Sequence, residues 1–414
     1  MTGPQKQPFD RRTFLRRAAG AAIAAPALSS ILAACEKPGQ LPPGVKLLPL
    51  ARQESPVTLP LYQDPIPTDT PLEKGVTLQV YNWDSYMKKS VLRAFEDQFD
   101  VKVEWTTFLN MEEGISKMST GQIKADVFFP TVDYLSRLVE AKLLFPLNHE
   151  LVPNLDAVAW PQFQNPFYDQ GWHYTVPYVI WTTGIAYRRD HIDDAEVAEK
   201  GYDILWDPKY RGRAGFYDSY RDAISMALLR RGITDVNTGD PAAIAQAKDD
   251  LVESVNLTDA RITVNGVYVK LAEDEIWVNQ SWSGDIVGAQ WYLPKGVSTD
   301  VLGYWYPPDL NGAMGNDLMV IPSTSQYPRL AHEFLNFFLD KHWGYQNFAL
   351  WNGYQPPFQT IKPQQLIADK VVPATIPEAV LTKRNFDLGY FPLQLSTEAD
   401  QLWLDAWDEV TAGA

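Results

Sequence analysis

Acidic and aromatic side chains recur together where the apolar pattern of this 414-residue chain breaks. Trp83-Asp84-Ser85-Tyr86 follow one alternating run, and Thr131, Asp133 and Tyr134 follow another. Further cases are Tyr217-Asp218-Ser219-Tyr220 with Asp222, then Trp282-Ser283-Gly284-Asp285, Asp317 near the head of an apolar run, and Asn352-Gly353-Tyr354. Carboxylates beside flat rings suit a flexible organic cation. Its ammonium groups demand carboxylates once they leave water, because a buried charge without a partner is costly. Its methylenes pack on Trp and Tyr faces, which add a cation–π attraction of roughly 0.5–2 kcal/mol per contact. Hydroxyls and amides accept the remaining N–H donors.

Each of these residues also has a purely structural reading. Ser219 and Asp222 stand at capping-box spacing, and Asp84 or Ser85 is placed to cap a helix. Asp133 suits a helix N-terminus. Trp282 and Tyr354 are ordinary core rings by type. Competing chemistries find less support. His149, His173, His191, His332 and His342 are scattered without metal spacing. There is no HExxH, no P-loop, no GxGxxG followed by an acid and no GxSxG. A carboxylate pair of the glycosidase kind stays open, as it does in any acidic chain.

The elements that must position these groups alternate. Val76 to Asn82 reads as a strand, followed by a helix with Val91, Leu92, Phe95 and Phe99 on one face. Val101, Val103 and Trp105 alternate as a second strand, Asn110 and Glu113 form a capping box, and Asp126 to Pro130 is a third, fully apolar strand. Tyr178–Tyr187, Glu275–Trp282 and Leu318–Pro322 read as strands. Asp222–Arg231, Asp240–Glu253 with Pro241 in its first turn, a helix carrying Leu330, Phe334, Phe337 and Phe338, and one from about Thr397 read as helices. Strands and helices at this spacing predict an α/β architecture with a mainly parallel sheet, and the length suits two lobes. A cleft between lobes is a usual place for a small ligand.

The chain's start reads as an address. Arg11-Arg12-Thr13-Phe14-Leu15-Arg16-Arg17 precede a weakly apolar stretch from Ala18 to Ala34, the pattern of a twin-arginine export signal. Leu32-Ala33-Ala34-Cys35 resembles a lipobox, which implies cleavage before Cys35 and a lipid on its thiol. Cys35 is the sole cysteine, so thiol catalysis and disulfides drop out of the body. From Glu36 to about Lys74 the sequence is Pro-dense and without apolar period, an expected linker, with Leu59, Leu61 and Tyr62 apolar enough to pack on a domain. The formal net charge is −15; removing the +4 of residues 1–34 leaves −19 for the remainder. So acidic a body has no basic stripe for nucleic acid and is compatible with a cationic ligand.

From about Val76 onward the chain resembles the spermidine/putrescine-binding proteins of bacterial ABC transporters. The resemblance rests on Tyr81-Asn82-Trp83 with Tyr86, Phe129-Pro130-Thr131, Trp206-Asp207-Pro208-Lys209-Tyr210-Arg211-Gly212, Arg221-Asp222, Trp282-Ser283-Gly284-Asp285, Asp317 through Pro322, and Gly353-Tyr354. It implies a two-lobed periplasmic-binding-protein-like α/β fold (type II) joined by hinge strands, with the ligand in the cleft. Expected bounds are 1–34 for the signal, 35–75 for the lipidated cysteine and linker, 76–181 with 317–360 for one lobe, and 182–316 with 361–414 for the other. The resemblance assigns ring walls to Trp83, Tyr86, Trp282 and Tyr354, ammonium-holding carboxylates to Asp222, Asp285 and Asp317, and a small hydroxyl to Thr131, with Asp133 beside it. It implies no catalysis, no cofactor and no metal. The implied partners are a polyamine and an ABC permease, for a monomer anchored through Cys35 and facing the periplasm or cell exterior.

Three departures stand out. Gly315 occupies a position where the family usually offers a second tryptophan wall, leaving Trp305 or Tyr306 to line the gap. Ser219 stands where the spermidine-type branch has a carboxylate. Asp133 stands where an aromatic is common. A different amine, such as an amino-acid derivative with a carboxylate, is the alternative ligand, for which Arg221 or Lys88 would supply the positive group. A surface hydrolase and an iron-binding relative are the remaining alternatives.

Overall fold

The computed structural model describes residues 48–412 apart from 264–265. The twin-arginine stretch, the lipobox and Cys35 lie outside the described residues.

Four strands and three helices build the first lobe's frame. They are β1 (Thr77–Trp83), β2 (Lys102–Phe108), β3 (Val127–Phe128), β4 (Leu144–Phe145), α1 (Lys89–Phe99), α2 (Met111–Ser119) and α3 (Leu135–Glu140). β2, β1 and β3 pair in parallel. α1 forms because Val91, Leu92 and Phe95 recur at helical spacing and bury one face; it ends at Asp100, whose left-handed backbone donates its N–H to Glu96. Its N-cap is Lys88 without a side-chain bond, so neither Asp84 nor Ser85 caps it. Asn110 does cap α2, accepting from the Glu113 N–H.

β5 (Val176–Arg188), β6 (Ala214–Tyr217), β7 (Arg261–Thr263), β8 (Val278–Trp282), β9 (Leu302–Trp305) and β10 (Ala313–Met319) form a second sheet in the order β10-β5-β8-β6-β7, with β9 also on β5. Here the expected mainly parallel arrangement is corrected. β10, β8 and β9 all run antiparallel to β5, and only the β8-β6-β7 pairings are parallel. The reason lies in the length of β5, which serves both lobes. β10 runs back along it, and its far end reaches the first lobe, where Leu318 N–H donates to Pro130 and Val320 exchanges bonds with Phe128. β11 (Ile321–Pro322) then pairs with β4. The result is two lobes joined by crossing strands.

Helices α4 (Tyr220–Arg230), α5 (Pro241–Thr258, with Asp240 as N-cap), α6 (Ser283–Ala289), α7 (Pro328–Phe338) and α8 (Thr397–Ala412) complete the layers. Trp403 of α8 is fully buried among Phe216, Ile224 and Ile244 in the second core. The segment before α8 packs on the larger core first. Phe386 and Phe391 pack edge-on against Phe167, and Phe386 also against Phe163, because these rings complete an aromatic cluster of the first core. Only from Leu395 onward does the chain join the second core.

Residues 48–75 are a strap rather than a free linker. Val57 exchanges backbone bonds with Phe167 and Gln170, Leu59 is wholly buried, and the Glu73 carboxylate accepts the N–H groups of Arg329 and Leu330 at the start of α7. Leu61 and Tyr62 stay exposed. Among the described residues, no helix is long and apolar enough to cross a membrane.

Candidate functional site: a carboxylate and aromatic cleft

A cavity of about 570 Å³ lies where the strand ends of both lobes face one another, within the size range of small-molecule sites. All nine residues singled out from the sequence line it: Trp83, Tyr86, Thr131, Asp133, Asp222, Trp282, Asp285, Asp317 and Tyr354.

Tyr86 is aimed by its own backbone. Ser85 adopts a left-handed φ of 61°, which turns the chain sharply after β1. The Tyr86 carbonyl then accepts from Tyr178 Oη, Asn347 Nδ2 and Asn352 Nδ2. Tyr86 thus precedes α1 instead of sitting in a helical turn, and its ring lies 5.0 Å from that of Tyr354.

The C-terminal end of β8 builds the opposite wall. Trp282 stacks on Tyr217 at 4.0 Å and 13°. Its indole N–H donates to Asp222 Oδ1, which also accepts from the Thr183 hydroxyl, while Ser219 donates to Asp222 Oδ2 at 2.7 Å. The Ser219–Asp222 pair also caps α4, so the capping and cavity readings coexist. Asp285 accepts from Tyr217 Oη at 2.5 Å and from Tyr354 Oη at 2.7 Å, one on each oxygen. Burial pushes its carboxyl up to about 6, with the two tyrosine hydroxyls pulling the other way. Gly284 is required by space: a Cβ there would lie 2.3 Å from the Tyr354 ring.

The remaining acids differ. Asp317, at a bulge in β10, is buried, and its Oδ1 has no hydrogen-bond partner among the described residues. Burial drives its carboxyl well above the usual carboxylate range; the Tyr86 hydroxyl opposes this, and the neighbouring Asp133 adds to it. Asp133 is itself raised by burial, partly offset by the Thr131 hydroxyl and by the nearby Arg221 and Arg137 guanidinium groups.

Seven carboxylates line the cavity (Asp84, Glu112, Asp133, Asp218, Asp222, Asp285 and Asp317) against one cationic side chain, Arg221. Among the described residues, none of the seven takes part in an ion pair. Their partners are neutral donors: Tyr134 for Glu112, Trp407 for Asp218, Ser85 for Asp84. Such a site presents uncompensated negative charge inside walls of aromatic rings. It can hold a cation of extended apolar body.

Several lining residues escaped sequence reasoning. Trp181 is one, and Trp291, Tyr292, Leu350 and Trp351 stand exposed at the cavity's edge. Tyr217 had a visible signal, the aromatic and acidic run it opens. Trp305 and Tyr306, expected to fill the gap at Gly315, do not line the cavity: Trp305 packs on Tyr202 and Tyr306 is buried against Gly312. Lys88 is likewise absent from the lining.

The two-lobed fold and a ligand-sized cleft between the lobes define a solute-binding protein. The chain belongs to the bacterial extracellular solute-binding protein family, whose model matches residues 90–374. It is 25% identical over 313 residues to the spermidine/putrescine-binding periplasmic protein 1 of Haemophilus influenzae, covering 75% of this chain and 83% of that protein. It is 25% identical over 272 residues to a putrescine/cadaverine-binding protein of Pseudomonas aeruginosa, covering 64% and 74%. A solved structure from Listeria monocytogenes, described as a spermidine/putrescine ABC transporter, superposes with a TM-score of 0.66 at 24% identity over 81% of this chain and 98% of that one.

Proposed function

We propose that this protein captures a polyamine, a putrescine- or spermidine-like cation, in the cleft and delivers it unchanged to an ABC permease. The observation that carries this reading is the set of seven cavity carboxylates with no ion pair among the described residues, one of them with a buried oxygen that none of those residues partners. One ammonium sits between Asp317 and Asp133, where a buried and a half-buried acid repel each other. The rings of Trp83, Tyr86, Trp282 and Tyr354 flank the methylenes, and Asp222 and Asp285 hold the rings as well as contributing negative potential. Thr131 accepts a remaining N–H. Binding moves the lobes together, and the closed form is what the permease receives. The protein works outside the cytoplasm as a monomer anchored by lipid on Cys35, and neither cofactor nor metal takes part.

Arg221 favours a second reading. Its guanidinium stacks on Trp403 at 4.4 Å and bonds Asn237 and Leu393 through Nη2, but its buried Nη1 has no partner among the described residues. An amine that also carries a carboxylate would satisfy it.

Calorimetry on residues 48–414 with putrescine, spermidine, agmatine and γ-aminobutyrate separates the two. Selective binding of a diamine or triamine supports the first. Preference for γ-aminobutyrate supports the second, and no heat or thermal stabilisation with any amine rejects both.

A further inference from the structure

Gly315 and Trp181 are cross-strand partners on β10 and β5. A Cβ on Gly315 would lie 2.6 Å from Trp181 Cζ2 and 2.9 Å from Cε2, so the indole lies where a side chain at 315 would start. Gly315 does not have a left-handed φ. Its lack of a side chain is therefore a matter of space and not of backbone conformation. Trp181 is also the one residue of β5 that is not buried; the other twelve positions of the strand are. This half-buried ring is part of the cavity lining. The ring meets Tyr354 edge-on, at 6.4 Å and 78°. Gly315 is two residues from Asp317, so the indole opposite Gly315 and the carboxylate whose Oδ1 has no partner among the described residues share one face of the strand pair, and both line the cavity.

We infer that Trp181 is a ligand-specificity residue: its indole is the wall that flanks the alkyl chain next to the ammonium held by Asp317, and Gly315 is the hollow that admits it. The inference rests on the organic-cation reading of the cleft. The two positions act as one unit, a ring that comes from β5 because β10 gives it room. A side chain placed at 315 and the indole at 181 compete for one volume. Losing the indole removes both a flat apolar surface and the attraction of its π face for the neighbouring cation.

The test is a double-mutant cycle on residues 48–414, read by calorimetric affinity for putrescine and spermidine. Trp181→Ala is expected to weaken binding roughly tenfold, the scale of one aromatic–cation contact with its apolar area. Trp181→Leu keeps an apolar side chain and a fold comparable by circular dichroism, and is expected to weaken binding by a similar factor. Gly315→Trp alone is expected to cost at least as much, since its ring collides with the indole. Combined, Trp181→Ala with Gly315→Trp is expected to return affinity to within about threefold of the parent, because one ring again fills one place. Parent-like affinity in Trp181→Leu and Trp181→Ala, with Asp317→Asn still abolishing binding, overturns the wall assignment and leaves the polyamine reading standing. Additive losses in the double variant overturn the shared volume. A parent protein that binds neither amine overturns the functional reading, and the wall with it.

Discussion

The two ends of the cleft treat their carboxylates differently. At the Trp282 end, Asp222 and Asp285 accept five hydrogen bonds between them from Thr183, Ser219, Trp282, Tyr217 and Tyr354. These acids spend their lone pairs fixing rings. At the β10 end, Asp317 keeps an oxygen without partner among the described residues, and Asp133 stands beside it as a second, half-buried acid. The first end is preorganised by neutral donors; the second is under-compensated by design of its surroundings, since burial raises both carboxyls there. One protein thus uses the same side chain for positioning and for demanding a charge, and only the donors nearby decide which.

The contrast is sharpened most by Asp317→Asn, expected to weaken amine binding on the order of 100-fold or more, as removing one member of a desolvated charge pair does. The unliganded variant should be at least as thermally stable as the parent, because a repulsive buried acid has gone. Equal affinity in titration calorimetry would break the comparison at its core.

Asp285→Asn ranks next, with a loss of about tenfold and a changed response to pH. Asp285 carries a carboxyl raised to about 6, above its unfolded value. The folded state therefore binds more protons between about 4 and 6, and this group's contribution to stability is present at low pH and lost as pH rises through about 6. A cationic ligand favours the ionised form, so affinity should fall as pH drops through the same window. Thermal melts and calorimetry at pH 5 and 7 should show both slopes in the parent and flatter ones in the variant.

Asp222→Asn is expected to cost less, about fivefold, because it frees the Trp282 indole without removing an ammonium partner. A shift in tryptophan fluorescence should accompany the loss; an unchanged spectrum would place the indole elsewhere. Smallest of all is Asp84→Asn. This acid is exposed, and its loss should alter affinity no more than about twofold and only at low salt. A large effect measured at moderate salt would mean that the opening, not the β10 end, sets the charge balance.

Much of this was legible in the linear sequence. Much of the strand and helix order follows from apolar period, although the short strands β6, β7 and β9 carry no such signal, and capping at Asn110 and Ser219 follows from residue type. Acids beside rings at strand ends converge in an α/β fold, because strand ends on neighbouring elements meet at one edge. All nine chosen residues line one cavity for that reason. What the sequence could not settle is pairwise. Trp181 reads as one more residue of a buried strand until β10 is laid beside it and Gly315 is seen to leave a hollow. Whether Asp285 or Asp317 keeps a free oxygen depends on hydroxyls 68 or more positions away, as Tyr217 and Tyr354 are from Asp285. The Pro-dense run from 48 to 75 lacks any apolar period, yet Leu59 and Glu73 find partners on residues far along the chain. Local physics reads type and period, which is enough for the class and the candidate residues. Register, shared volume and hydrogen-bond partnership belong to elements brought together by folding, and those alone divide positioning acids from the acid that awaits a charge.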